Sequence, residues 1–291
     1  MKIKRRYDIV PTNDYIFQCV YGNEGSEEIT KDFLNTIIEE KIEDIEISHE
    51  AVTDKNILDE KVVRLDVKAK VNGNIDVDLE MQMSKNKYMT SRILYNWSKL
   101  FAGQIVEGES YNKLHKAICV LIIDYEDELI ESVPKLVTQW RIKEISGEKM
   151  LTELFEIYII SLRKLRILGN ERAEEKLVDL KERESLIPWL KFLKDPKSLE
   201  ADIMENNESI KKANEIYESV ISDAERVRIA EMRAEKASIY ETGLDDGEKK
   251  GRLEGKEEAT IEIAKKMLLK NKPIEEIVEF TGLTKEEIEK L

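Results

Sequence analysis

Short apolar strands interleaved with amphipathic helices predict an α/β (α+β) fold. A mixed central sheet flanked by helices is followed by an all-helical C-terminal extension. Three observations carry this expectation. Residues 61–71 and 75–83 alternate strongly and read as a β-hairpin. A long amphipathic helix at Tyr88–Glu107 precedes a continuous apolar run, Ala117–Ile123, which suits a buried strand. From Glu171 onward only helical spacing recurs.

Taken in order, Asp14–Tyr21 places Ile16, Phe17 and Val20 on one helix face after Asn13-Asp14, and Gly22 and Gly25 break it. Ser26 reads as the N-cap of a helix over 27–40 with Ile29, Phe33, Leu34, Ile37 and Ile38 at helical spacing. Ile42–Ile47 alternates as a strand. In the helix at 88–107, Ile93, Trp97, Leu100, Phe101 and Ile105 form the apolar side. Val137–Lys143 and Phe155–Leu162 read as further strands, and Trp189, Leu190, Phe192 and Leu193 mark a helix packing back on the sheet domain.

The C-terminal third is polar. Ser209–Tyr240 predicts a long charged helix. Gly243, Gly247, Gly251 and Gly255 recur every four residues and predict a marginal helix or a linker, since each glycine weakens a helix by roughly 1 kcal/mol. Pro273 opens a short helix to Phe280, Gly282 closes it, and Thr284 with Glu287 forms a capping box for a second. This pair is either a helix-turn-helix or a bihelical hairpin for self-association. The expected organisation is a sheet domain at 1–195, a charged, glycine-punctuated linker at 196–258, and a helix-turn-helix-like module at 259–291.

The net charge of −14 opposes a surface coated for nucleic acid, because phosphate neutralisation needs Lys and Arg. The distribution softens this. Ser84–Lys116 carries six Lys and Arg against two acids, whereas Ala201–Leu291 carries 23 acids against 16 basic residues. Cys19 and Cys119 lie in no zinc-like cluster and read as buried thiols. His49 and His115 lack a nucleophile motif nearby, which argues against histidine-based nucleophilic catalysis. No 18-residue apolar run and no leader-like apolar segment occur, so a cytoplasmic protein with no membrane partner is expected.

The hairpin carries the chemistry. Val63, Leu65, Val67, Ala69 and Val71 share one face with Ile75, Val77, Leu79, Met81 and Met83. Arg64, Asp66, Lys68 and Lys70 oppose Asp76, Asp78, Glu80 and Gln82. Only a three-residue loop, Asn72-Gly73-Asn74, keeps the faces matched. That register pairs Val71 with Ile75, Lys70 with Asp76, Lys68 with Asp78, Asp66 with Glu80 and Arg64 with Gln82. Two carboxylates directly opposed repel unless a cation or neighbouring bases intervene. Asp66 and Glu80 therefore read as ligands of a hard divalent cation, or as part of a solvated polar face relieved by Lys68 and Arg64.

Leu65-Asp66-Val67-Lys68-Ala69-Lys70 and Asp78-Leu79-Glu80-Met81-Gln82 resemble the core of the PD-(D/E)XK nuclease-family transposases, also described as recombination-promoting nucleases. Asn13-Asp14-Tyr15-Ile16-Phe17, Arg92-Ile93-Leu94-Tyr95, Gly108-Glu109-Ser110-Tyr111, Glu156-Ile157-Tyr158 and Trp189-Leu190-Lys191-Phe192-Leu193 extend the likeness over about residues 11–195. The resemblance implies a restriction-endonuclease-like core and Mg2+-dependent cleavage of DNA phosphodiesters, with Mn2+ as the alternative ion. It puts Asp66 and Glu80 at the metal, and Gln82 where the wider superfamily has Lys. Asp14 is a further acid of the site or a cap of the first helix. Arg92 and Tyr95, three residues apart, contact the scissile phosphate or pack the helix on the sheet. Lys85 and Lys87 are candidate grips on the DNA backbone. The implied function is a DNA endonuclease linked to recombination or mobile elements. The alternative is a catalytically weak or inactive DNA-binding or regulatory protein of the same fold that forms homo-oligomers through its C-terminal helices.

Overall fold

The computed structural model describes residues 9–48, 67–85, 87–147, 149–167 and 184–291. It divides into two compact units, Met1–Glu235 and Lys236–Leu291. The first is a mixed six-stranded sheet with helices on both faces. Its strands are β1 (Ile45–Ile47), β2 (Val67–Val71), β3 (Ile75–Gln82), β4 (Lys116–Ile123), β5 (Val137–Trp140) and β6 (Phe155–Ser161), in spatial order β1-β2-β3-β4-β6-β5. The pairs β3–β4 and β4–β6 are parallel and the rest antiparallel.

The β2–β3 register is the one that the apolar faces require. Val71 lies opposite Ile75, Ala69 opposite Val77, Val67 opposite Leu79, and Lys68 opposite Asp78. Asn72 and Gly73 both turn at positive φ, 50° and 72°. Glycine meets this without strain, and asparagine tolerates it. The Asn72 side chain also accepts hydrogen bonds from the Glu43 and Asp44 amides and donates to the Lys41 carbonyl, so it fastens the turn to the segment entering β1. Asp66 and Arg64, and with them the expected Asp66–Glu80 and Arg64–Gln82 pairs, lie outside the described residues, as does His49.

β4 is apolar from Ala117 to Ile123 because both of its faces are covered. Ile118, Val120 and Ile122 join the larger core, while Cys119, Leu121 and Ile123 join a second core under one helix. Helices α1 (Asp14–Tyr21) and α2 (Glu27–Asn35) pack on the larger side. Asn13 caps α1, accepting from the amides of Tyr15 and Ile16. Ser26 precedes α2 but makes no side-chain cap. Its ψ of 0° departs from the extended geometry that aims a capping oxygen at the first turn. Helix α2 ends at Asn35, short of the expected 40, and α3 (Met89–Ala102) stops at Gly103, short of Glu107. The helix α4 (Glu128–Ser132) follows β4.

After residue 184 the chain is helical: α5 (Leu186–Lys194), α6 (Ala201–Asn206), α7 (Glu208–Ser222), α8 (Ala224–Leu269), α9 (Ile274–Thr281) and α10 (Lys285–Ile288). The charged helix expected over 209–240 is broken at Asp223, whose extended backbone starts a new helix and whose carboxylate accepts from the Glu225 and Arg226 amides. In α7, Ile210, Ala213, Tyr217 and Val220 sit at helical spacing and enter the larger core, and the Tyr217 hydroxyl donates to the Ile9 carbonyl. Helix α8 runs unbroken through all four glycines. In the second unit, Gly282 takes a left-handed φ of 73° after α9, and the Thr284–Glu287 capping box forms. Ala264, Ile277 and Ile288 are the centre of its small core. Among the described residues no helix is long and apolar enough to cross a membrane. Both cysteines are buried and neither is in a disulfide.

One buried acid holds the sheet together away from the hairpin's polar face. Glu156 of β6 is fully buried, with Arg141 Nε at 2.6 Å and Lys116 Nζ at 2.6 Å. Burial alone would raise its pKa, but the hydrogen bonds from Lys116 and Arg141 win and hold it below the ordinary 4.5. A carboxyl whose folded pKa is depressed adds stability above its unfolded pKa, and this is lost as pH falls through the folded value. Glu156→Gln is therefore expected to lower unfolding free energy at pH 7 by about 1–3 kcal/mol and to flatten the loss of stability below about pH 4.5. Urea titrations from pH 3 to 8 read both effects, and an unchanged acid limb would rule the assignment out.

Candidate metal and DNA site

The polar face of β3 looks toward α3. That helix is set by its apolar stripe: Met89 and Ile93 are buried, Trp97 and Leu100 pack on the second core, and the Trp97 indole donates to the Ala117 carbonyl. Trp97 also lies 4.6 Å from the Phe155 ring. With the apolar stripe fixed on β4 and β6, Arg92 and Asn96, one turn apart, are delivered to β3.

The result is a buried polar cluster rather than a solvated face. Asp78, Glu80 and Gln82 are only 5%, 4% and 5% exposed. The Arg92 guanidinium pairs with Glu80 Oε1, and its Nη1 donates to Gln82 Oε1 at 3.2 Å. Asn96 Nδ2 donates to Glu80 Oε2 at 2.9 Å. Gln82 Nε2 donates to the Ser84 carbonyl at 3.1 Å. A buried carboxylate is tolerated only with such partners.

Asp78 differs. Its Oδ1 is buried and, among the described residues, has no hydrogen-bond partner. Burial raises its pKa to about 6, against the opposing charges of Lys68 and Lys99. The expected Lys70–Asp76 link is present at 3.8 Å, but Asp76 is also held by Gln104 Nε2 and His115 Nε2, each at 3.0 Å. His115 thus serves this strand-end cluster.

The other sequence candidates fall as follows. Asp14 Oδ2 lies 3.2 Å from Nη1 of Arg233 in α8, and Asn13 rather than Asp14 caps α1. Tyr95 is 62% exposed, and Lys85 and Lys87 are exposed. Asp66 lies outside the described residues, directly before Val67. Among the described residues no group of three His, Cys, Asp or Glu converges as a metal site. Asn96 escaped the sequence reading, although its place one turn after Arg92 was a usable signal. Asp78 escaped because pairing it with Lys68 hid how deeply α3 buries it.

These residues suit a hard cation. The side chains at the centre, Glu80 and Asp78, present oxygen only, and Asp78 Oδ1 is a buried acceptor that meets no donor among the described residues. A family model described as PD-(D/E)XK nuclease family transposase matches residues 11–246 of the chain. No curated protein and no solved structure matches it.

Proposed function

The chain belongs to the PD-(D/E)XK nuclease family transposases, and on that premise we propose that it is a divalent-metal-dependent DNA endonuclease acting in recombination or mobile elements. The observation that supports this best is the buried Glu80-x-Gln82 pair on β3, addressed by Arg92 from α3. Mg2+ is the first choice of ion and Mn2+ the second. Asp66 and Glu80 would hold it, and the ion would supply Lewis-acid activation of the phosphate and a water of lowered pKa.

The rest falls to this chain's own groups. Gln82 donates one amide N–H to the Ser84 carbonyl and accepts from Arg92 at Oε1, and its amide is the group that would orient an attacking water by hydrogen bonds. It orients that water but brings no positive charge. Arg92 has five N–H donors, enough to serve Glu80, Gln82 and a phosphate oxygen together. Asn96 fixes the Glu80 carboxylate plane. Tyr95, Lys85 and Lys87 stand exposed for the DNA backbone, and Asp14 is the outlying acid of the proposed set.

One observation favours the second reading, a weak or inactive nuclease fold that binds DNA and self-associates through its helical tail. Both Glu80 oxygens are already engaged, by Arg92 and Asn96. Calorimetry with Mg2+ on the wild type and on Asp66→Ala, run beside nicking of supercoiled plasmid in Mg2+ and in EDTA, decides between them. The endonuclease reading expects Mg2+-dependent nicking and at least tenfold weaker metal binding in Asp66→Ala, a loss of about 1.4 kcal/mol or more. Equal affinity in both proteins removes the hairpin as the metal site. Metal binding without nicking selects the second reading.

A further inference from the structure

Helix α3 carries a second feature besides the Arg92 and Asn96 side chains that reach Glu80. Roughly one residue in five of this chain is acidic, 61 of 291, yet Met81–Val106 contains neither Asp nor Glu. Within that acid-free stretch two tyrosines stand out from the surface. Tyr88, at the N-cap of α3, is 65% exposed, and Tyr95 is 62% exposed. They are seven residues apart, two helical turns, so they lie on one line about 10 Å apart. A lysine ammonium accompanies each ring: Lys87 Nζ is 5.8 Å from the Tyr88 centroid, and Lys99 Nζ is 5.7 Å from that of Tyr95.

At 100° per residue, Tyr95, Tyr88, Lys99, Arg92 and Asn96 fall in sequence across an arc of about 100°. One edge of this arc holds Glu80 through Arg92 and Asn96; the other is the aromatic edge. A groove for duplex backbone needs cations alone, because paired bases hide their faces. Exposed rings alternating with lysines, and free of acids, instead match the chemistry of a strand whose bases are unpaired: rings stack on bases and ammonium groups follow the phosphates.

We propose that the outward stripe of α3 is a stacking track for unpaired DNA bases, with Tyr88 and Tyr95 as its platforms and Lys87 and Lys99 as its phosphate contacts. The substrate then reaches Glu80 as a single strand or as locally opened duplex. This rests on the endonuclease reading for its biological meaning, but not for its test.

The test uses the full chain in EDTA, where no cleavage intervenes, and fluorescence anisotropy with labelled dT20 and with a 20-base-pair duplex. The wild type is expected to bind dT20 more tightly than the duplex. The double variant Tyr88→Ala/Tyr95→Ala should lose about tenfold or more on dT20 and less than about threefold on the duplex. Tyr88→Phe/Tyr95→Phe, which keeps the rings, should stay within about threefold of wild type on both. Equal losses on the two probes, no loss on dT20, or failure of the Phe variant to preserve binding would overturn the proposal. Glu80→Gln separates the two readings. Retained dT20 binding in that variant supports the track whatever happens to nicking, and binding lost with Glu80 overturns it as a surface in its own right.

Discussion

Glu80→Gln is expected to lower the initial rate of Mg2+-dependent plasmid nicking by roughly a hundredfold to a thousandfold or more. A bound cation contributes several kcal/mol to a phosphoryl transition state, and each 1.4 kcal/mol is about tenfold in rate. The amide keeps the shape of the carboxylate and can still accept from Asn96, but it is a poor ligand for Mg2+. The fold should survive. Arg92 loses its counter-charge, yet its side chain is 19% exposed and can turn toward water, so the stability loss stays near 1–2 kcal/mol. The two readouts diverge, and that divergence identifies a site residue. If Glu80→Gln nicked within threefold of the wild type, the cleavage would come from elsewhere.

The second large effect concerns the fold alone. Trp189 of α5 is fully buried, with ring centroids 5.4 Å from Phe33, 6.0 Å from Tyr21 and 6.3 Å from Phe192. It joins α1, α2 and α5 in one aromatic cluster on the larger face of the sheet. Trp189→Ala removes an indole from a site walled by rings that cannot all collapse inward, so a loss of about 3–5 kcal/mol is expected from urea unfolding. Trp189→Phe should cost much less than its lost volume suggests. The indole N–H is buried with no acceptor among the described residues, and deleting it removes a desolvation penalty of about 1–3 kcal/mol. A Trp189→Ala loss below about 1 kcal/mol would mean that the cluster rearranges freely.

The sheet was legible because strand period and turn chemistry agree. The alternation across 67–82 admits one register, and Asn72-Gly73 provides the backbone conformation that closes it. The C-terminal helix pair was legible for the same reason, since Gly282 and Thr284–Glu287 act through local geometry. The fate of the polar face was not. Whether Asp78, Glu80 and Gln82 meet water or another element depends on where α3 lands, and that is decided by Trp97 and Ile93 packing on strands 20 and more residues away. Likewise, the sparse apolar residues of 208–222 look too few for a core helix. Four of them at correct spacing suffice once α1, α2 and α5 offer a groove. The break at Asp223 was hidden because Asp inside a charged run carries no signal by itself.

The joining of the first helix to the last residues of its own unit has a consequence in time. Tyr217 reaches the Ile9 carbonyl across 208 residues, Asn13 Nδ2 reaches the Ala230 carbonyl across 217, and Asp14 meets Arg233 across 219. A ribosome adding about 5–20 residues per second needs roughly ten seconds or more to make that span. Until then the segment bearing Asn13 and Asp14 has emerged without its closing partner, and a nascent chain halted midway has β3 without the finished fold around it. Such distant closures slow folding. They also mean that interrupted synthesis yields fragments lacking this closure, so the complete sheet unit is expected only after translation has passed Arg233.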